Sequence, residues 1–224
     1  AYTLQPNHFL ARRAFGLSLL NTAQWERLIE LDIPWMSVIA LRALGRNEEA
    51  LMLARAEAAE GDGMNILLNQ LQARGDNEQV VQLFYERWPS LEAYLAEVPL
   101  GQFGSLNTLL TLAEAHQALE QAERFVEFMT QARKLVEKDL AAGFDGGFQN
   151  TRYARYFTLA GDYERALDLL EKAVDMGFYG SGNFRDWTVF SVHFGDPRFE
   201  AVQARAIEAV NRERSKLELE PIST

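Results

Sequence analysis

One unit recurs along this chain and limits what it can fold into: a helical stretch, a glycine turn, then a helix carrying alanine. The clearest copy runs from Leu159 to Ala173, with Gly161 in the turn and Ala166, Leu170 and Ala173 on the helix that follows. A second copy places Ala50 after Gly45, and a worn third places Val80 after Gly75. A pair of short helices cannot bury its apolar face alone, so such units have to stack on one another. Glycine suits the turn because it enters left-handed backbone conformations without steric cost. Alanine suits the crossing because a larger side chain would hold two helix axes apart.

The copy around Gly161 resembles a tetratricopeptide repeat, with Ala154 as the small residue of its first helix and Tyr153 and Phe157 beside it. The spacing departs from that family's period of about 34. Gly45 and Gly75 are 30 residues apart, the next turn near Glu120 lies 45 further on, and Gly161 lies 41 beyond that. An upstream turn around Ala23 precedes Gly45 by 22 residues. The tail carries a second resemblance: Phe178, Phe184-Arg185-Asp186-Trp187 and Gly195 through Val202 are similar to the end of many bacterial tetratricopeptide modules. Those modules sit behind winged-helix regulators, adenylate cyclases or protein kinases, and the chain holds no motif of any of the three.

The resemblance implies an all-α fold, a right-handed superhelical array of four to six antiparallel helix hairpins with a C-terminal capping helix. It further implies a concave groove lined by the first helix of each hairpin, where a protein or peptide segment docks. Carried onto this chain, the groove positions are Trp35, Ile39 and Arg42, then Asn65, Asn69 and Gln72. Asn107, Leu110 and Glu114 follow, and Thr151 and Arg155 complete the row. Carboxamides both donate and accept, so a row of them can hold a peptide backbone without demanding a sequence.

Periodicity predicts helices over 7–20, 25–33, 35–44, 47–60, 64–73, 77–88, 91–98, 105–118, 121–142, 150–160, 163–176 and 197–216, and no strand. Ser90 is placed to cap one of them and Pro197 to open the last. The stretch 99–104 reads as a hinge, 178–216 as a terminal cap and 217–224 as a flexible tail. Phe190, Phe194, Phe199 and Val202 are the residues of that cap, which a stacked array needs to shield its apolar end. The whole reads as one domain. Its opening residues, Leu4-Gln5-Pro6-Asn7, look like the end of a preceding repeat, as though cut from a larger polypeptide.

Composition narrows the function classes. The net charge of −10, from 32 acidic and 22 basic residues, disfavours a phosphate backbone as partner, and Arg152 with Arg155 is too small a basic cluster to reverse that. Apolar residues make up 48%, enough for a continuous core, and no run is long enough to span a bilayer. Without cysteine there is no disulfide and no thiolate metal site. His8, His116 and His193 fall in separate elements, so no metal or other cofactor is expected. Ser181 lies between two glycines but lacks the strand-turn-helix setting of a nucleophile elbow. Glu48 and Glu49 open a helix, where carboxylates favour its dipole rather than acid–base work. The expectation is therefore a non-catalytic interaction module of a bacterial signalling or regulatory protein. It would be cytoplasmic, or periplasmic where a larger parent is membrane-anchored. The partner is a separate protein or another domain of the same polypeptide; the alternative is a small-molecule-sensing helical domain.

Overall fold

The computed structural model describes residues 8–61, 63–98, 104–179 and 183–222. The expected hinge from Pro99 through Phe103, the loop with Ser181 and the opening segment through Asn7 lie outside the described residues. Among the described residues regular structure is entirely helical and takes up 77%. In chain order come α1 (Phe9–Asn21), α2 (Trp25–Glu30), α3 (Pro34–Ala43), α4 (Asn47–Ala59), α5 (Met64–Ala73) and α6 (Asn77–Arg87). Then follow α7 (Leu91–Glu97), α8 (Ser105–Ala118), α9 (Ala122–Ala141), α10 (Gly147–Leu159) and α11 (Tyr163–Asp175). Two 3-10 turns, Phe184–Asp186 and Thr188–His193, lead into α12 (Pro197–Ser215).

Five connections share one three-residue turn, and Gly143 and Gly177 close α9 and α11 with the same bond before longer links. Ala23, Gly45, Gly75, Glu120 and Gly161 all have positive φ, between 49° and 79°. After each, the next amide donates to the carbonyl five residues back: Gln24 to Leu19, Arg46 to Leu41, Asp76 to Leu71, Gln121 to His116 and Asp162 to Phe157, at 2.8–3.0 Å. This closure satisfies carbonyls left open at a helix C-terminus and aims the chain straight into the next helix. A side chain at Gly45, Gly75 or Gly161 would meet nothing within 4 Å, so glycine is there for its φ alone. Gly161→Ala should therefore lower stability by about 1 kcal/mol, while Glu120→Gly, which relieves a left-handed glutamate, should raise it by up to about 1 kcal/mol. Thermal melts that moved both variants the same way would deny the shared geometry.

Packing follows the chain. α3 pairs with α4, α5 with α6, α8 with α9 and α10 with α11, while α3 also touches α5, α5 touches α8 and α8 touches α10. Alanines sit fully buried at these crossings: Ala50 and Ala54 on α4, Ala113 on α8, Ala132 on α9, Ala154 on α10, Ala166 on α11. The central core is built from side chains such as Leu68, Leu71, Phe84, Leu109 and Phe128. A smaller cluster around Leu19, Leu28 and Met36 holds α1 to α3 together. α10 begins at Gly147, three residues before the apolar pattern starts. A side chain there would come within 2.4 Å of the Phe178 Cβ, so only glycine lets the helix back onto the end of α11.

The tail completes the core at the other end. Phe199, Val202 and Ala206 of α12 pack with Phe184 and Phe190 against Leu167, Leu170 and Val174 of α11. Phe194, expected among these buried rings, is instead 41% exposed, with the Arg185 guanidinium 4.9 Å above it. Arg198 reaches back to Glu164, Asp168 and Glu171 on α11 at 2.7–3.0 Å. The far end of α12, about 28 Å away by helix rise, meets the start of the chain. There Arg214 Nη1 donates to the carbonyls of Thr22 (2.6 Å) and Ala23 (3.1 Å). Residues from Leu217, expected as a loose tail, turn back along α12 as far as Ile222. Asn211 brackets the Ile222 backbone through both amide and carbonyl, at 2.8 and 3.1 Å.

Candidate functional site

Side-chain bonds between the first helices fix their mutual direction. Asn107 on α8 accepts from Arg152 on α10 at 3.0 Å; Thr111 donates to Asn69 on α5 at 2.9 Å and accepts from Arg155 at 3.1 Å. Further along, Gln72 donates to Glu114 at 2.5 Å, and Arg155 Nε donates to the other oxygen of Glu114. Early residues bond early residues and late bond late, so α5, α8 and α10 run parallel and share one polar face. α3 joins this row beside α5.

The face is less open than its sequence implies. Trp35, Ile39, Arg42, Asn65, Asn69, Gln72 and Asn107 are half-buried. Leu110, Glu114, Thr151 and Arg155, expected as exposed groove positions, are buried at 0%, 8%, 0% and 4% exposure. The reasons differ. Leu110 belongs to the central core, and its neighbour Thr111 holds the place on the polar face. Thr151 folds its hydroxyl back to the Gly147 carbonyl at 3.1 Å. Glu114 and Arg155 are buried against each other. Asn69 is likewise engaged inside the protein, its Nδ2 donating to the Asn65 carbonyl at 2.6 Å.

At the C-terminal ends of the first helices the tail lies across the face. Arg42 Nη2 donates to the Asp186 carbonyl at 3.5 Å, Gln72 Nε2 to the Thr188 hydroxyl at 2.9 Å, and Thr158 bonds His193 Nε2 at 3.0 Å. Sequence reasoning missed Asp186, Thr188 and His193, because nothing in an aromatic-rich linker says which face it will cross. At the N-terminal ends the face carries Trp35, Asn65, Asn107, Phe148 and Arg152, where the Phe178 ring of the tail lies against Phe148 at 5.5 Å. Burial lowers the pKa of both Arg42 and Arg152 below the usual guanidinium value; Asp186 partly offsets this for Arg42, and Tyr153 and Asp139 for Arg152.

On the other side of α10 a shallow cleft of about 220 Å³ lies between α9 and α11, floored by Tyr156 and Phe157 and rimmed by Arg133 and Arg165. Among the described residues no group of three or more histidine or carboxylate side chains is placed to hold a metal, and no helix is long and apolar enough to cross a membrane.

Two histidines are buried as neutral rings. His116 Nδ1 meets Gln121 Oε1 at 2.7 Å, while its Nε2 has no partner among the described residues. Burial pushes the pKa of His116 and of His193 below the ordinary value of about 6.5. A histidine depressed in the folded state favours unfolding once the unfolded chain can take up the proton. The stability they confer is whole above about pH 7 and declines as pH falls through 6.5 toward the lowered folded values. Melting temperature should therefore drop between about pH 7.5 and 5.5, and a His116→Gln, His193→Gln double variant should flatten that slope. An unchanged slope would place the titration elsewhere.

No family model, curated protein or solved structure matches the chain.

Proposed function

We propose that this chain is a non-catalytic helical interaction module, arranged as a right-handed array of hairpins of the tetratricopeptide kind and ended by α12 as its cap. The five-fold use of one turn is the observation that carries this reading, since it builds like helices into a parallel row with one continuous polar face. The rigid row holds Asn65 and Asn107 at its N-terminal part, where carboxamides can pair with an extended backbone, while Asn69 and Gln72 are spent on bonds within the protein. The partner is a protein segment, or another domain of a larger polypeptide, in a bacterial signalling or regulatory setting. The tail already occupies the C-terminal part of the face, so the segment docks on the N-terminal part, across Trp35, Asn65 and Asn107. The alternative is small-molecule sensing near the 99–104 hinge, of which Pro99 through Phe103 lie outside the described residues; the cleft between α9 and α11, at about 220 Å³, is smaller than the roughly 300–1,000 Å³ of ordinary ligand sites.

The test is capture of partners with this chain, followed by titration of the one recovered. Trp35→Ala and Asn65→Ala together should weaken binding by several-fold to about a hundredfold with little change in melting temperature. Gln79→Ala, on the exposed side of α6, should change nothing. Unaltered affinity in the double variant would remove the N-terminal part of the face from consideration. Asn69→Ala is not a probe of binding, since its carboxamide links α5 to α8.

A further inference from the structure

Two guanidiniums are buried in the polar face, and they are treated differently. Arg155 has a carboxylate, Glu114, against it. Arg152, at 7% exposure, has none within ion-pair distance among the described residues and bonds two neutral oxygens: Asn107 Oδ1 through Nε at 3.0 Å and Gln149 Oε1 through Nη1 at 2.7 Å. Tyr153 and then Asp139 act on it electrostatically, and the Asp139 carboxylate itself accepts from the Tyr153 hydroxyl at 3.1 Å. A buried cation without a counter-charge is costly to keep, and the usual solutions are an ion pair or a ligand. Here the two carboxamides hold the plane of the guanidinium while Nη2 has no hydrogen-bond partner among the described residues. An amino group left over on a guanidinium held in plane can donate a charge-assisted bond to a carboxylate.

An aromatic ring lies beside the guanidinium. The Arg152 guanidinium lies 5.8 Å from the Phe148 ring, which is 38% exposed and in edge contact with Phe178 at 5.5 Å. Asn107 spends its oxygen on Arg152, leaving its amide N–H groups for a second acceptor. A free inorganic anion would use the cation and leave the rings uncovered. We infer that Arg152 receives an acidic side chain of a partner protein segment, with an apolar side chain of the same segment lying on Phe148. This rests on the reading of the chain as an interaction module and names the chemistry of its partner. The net charge of −10 gives such a segment no long-range attraction. Recognition therefore depends on contact-range bonds at this one place.

The probes are two capped tripeptides, acetyl-Phe-Glu-Phe-amide and its neutral counterpart acetyl-Phe-Gln-Phe-amide, titrated while the Arg152 Nε–H and Asn107 side-chain amide resonances are followed. The acidic peptide should shift both saturably and bind roughly ten- to a hundredfold more tightly than the neutral one. Arg152→Met should abolish that preference while melting at or above the parent temperature, because it removes an uncompensated buried charge. Arg152→Lys, which keeps the charge but loses the fork, should retain a reduced preference and serves should the Met variant misfold. Equal affinity for the two peptides, no saturable shift with either, or a preference surviving in Arg152→Met would overturn the inference. So would inorganic phosphate or acetate binding as tightly as the acidic peptide, which would make this a simple anion site. If a captured partner binds Arg152→Met as well as the parent but loses affinity for the Trp35 and Asn65 double variant, this site falls and the interaction-module reading stands.

Discussion

A chain ending at Asp196 should no longer melt cooperatively and should aggregate on warming. The cut removes Phe199, Val202 and Ala206 and uncovers Leu167, Leu170 and Val174 on α11 together with Phe184 and Phe190. Truncating one buried phenylalanine typically costs 3–5 kcal/mol. Losing the ring, the valine and the helix that carries them therefore costs on the order of 5 kcal/mol or more, comparable to the whole stability of an ordinary domain. The exposed apolar surface then favours association between chains. The milder Phe199→Ala variant should stay folded at low temperature and lose about 3–5 kcal/mol in a urea titration. A truncated chain that remains monomeric and melts like the parent would mean that α12 decorates the fold rather than completing it.

The second large effect concerns Glu114. Replacing it with alanine leaves the Arg155 guanidinium buried without its carboxylate and takes an acceptor from Gln72. Removing one partner of a buried ion pair commonly costs about 3–5 kcal/mol, most of it the penalty of the stranded charge. The double variant Glu114→Leu, Arg155→Met strands no charge and should be closer to the parent than either single change. Urea titrations of the parent, Glu114→Leu, Arg155→Met and the double variant give the coupling directly. Additive losses, or a cost below about 1 kcal/mol for Glu114→Ala, would show that the pair is solvated in solution.

The helices were readable in the sequence because their limits are set locally. Gly45, Gly75 and Gly161 mark three of the five repeated turns, Ser90 caps α7 through its hydroxyl, and Pro197 opens α12. Even so, Ala23 and Glu120 adopt the same turn with no glycine to announce it, because the packed helices on either side hold the conformation. The polar face was harder. Which of Leu110 and Thr111 faces outward depends on a one-residue rotation of α8, and the stripe of Asn107, Thr111 and Glu114 at i, i+4 and i+7 marks Thr111, a signal that the choice of Leu110 passed over. Depth was hidden, because α10 is buried from Asn150 through Leu159, including two arginines. One signal of it was available. α8 carries a single carboxylate, Glu114, in fourteen otherwise uncharged or weakly basic positions. A lone charge on such a helix points to a buried partner, and α10 supplies the arginine.

The tie between Arg214 and the Thr22 carbonyl spans 192 residues of chain, whereas each hairpin joins neighbours a few turns apart. Loop-closure entropy grows only logarithmically, so the equilibrium cost of that long closure exceeds a hairpin's by no more than about 2 kcal/mol. Its kinetic consequence is larger. Hairpins can form as soon as both their helices have been made, but the cover over Leu167, Leu170 and Val174 waits for the chain to reach the end of α12. From Asp175 to Ser215 that interval is roughly 2–8 s at common rates of translation. During those seconds the nascent chain carries a finished helix pair with its oily side bare, and the interval is when a chaperone or a neighbouring ribosome's product has access to it.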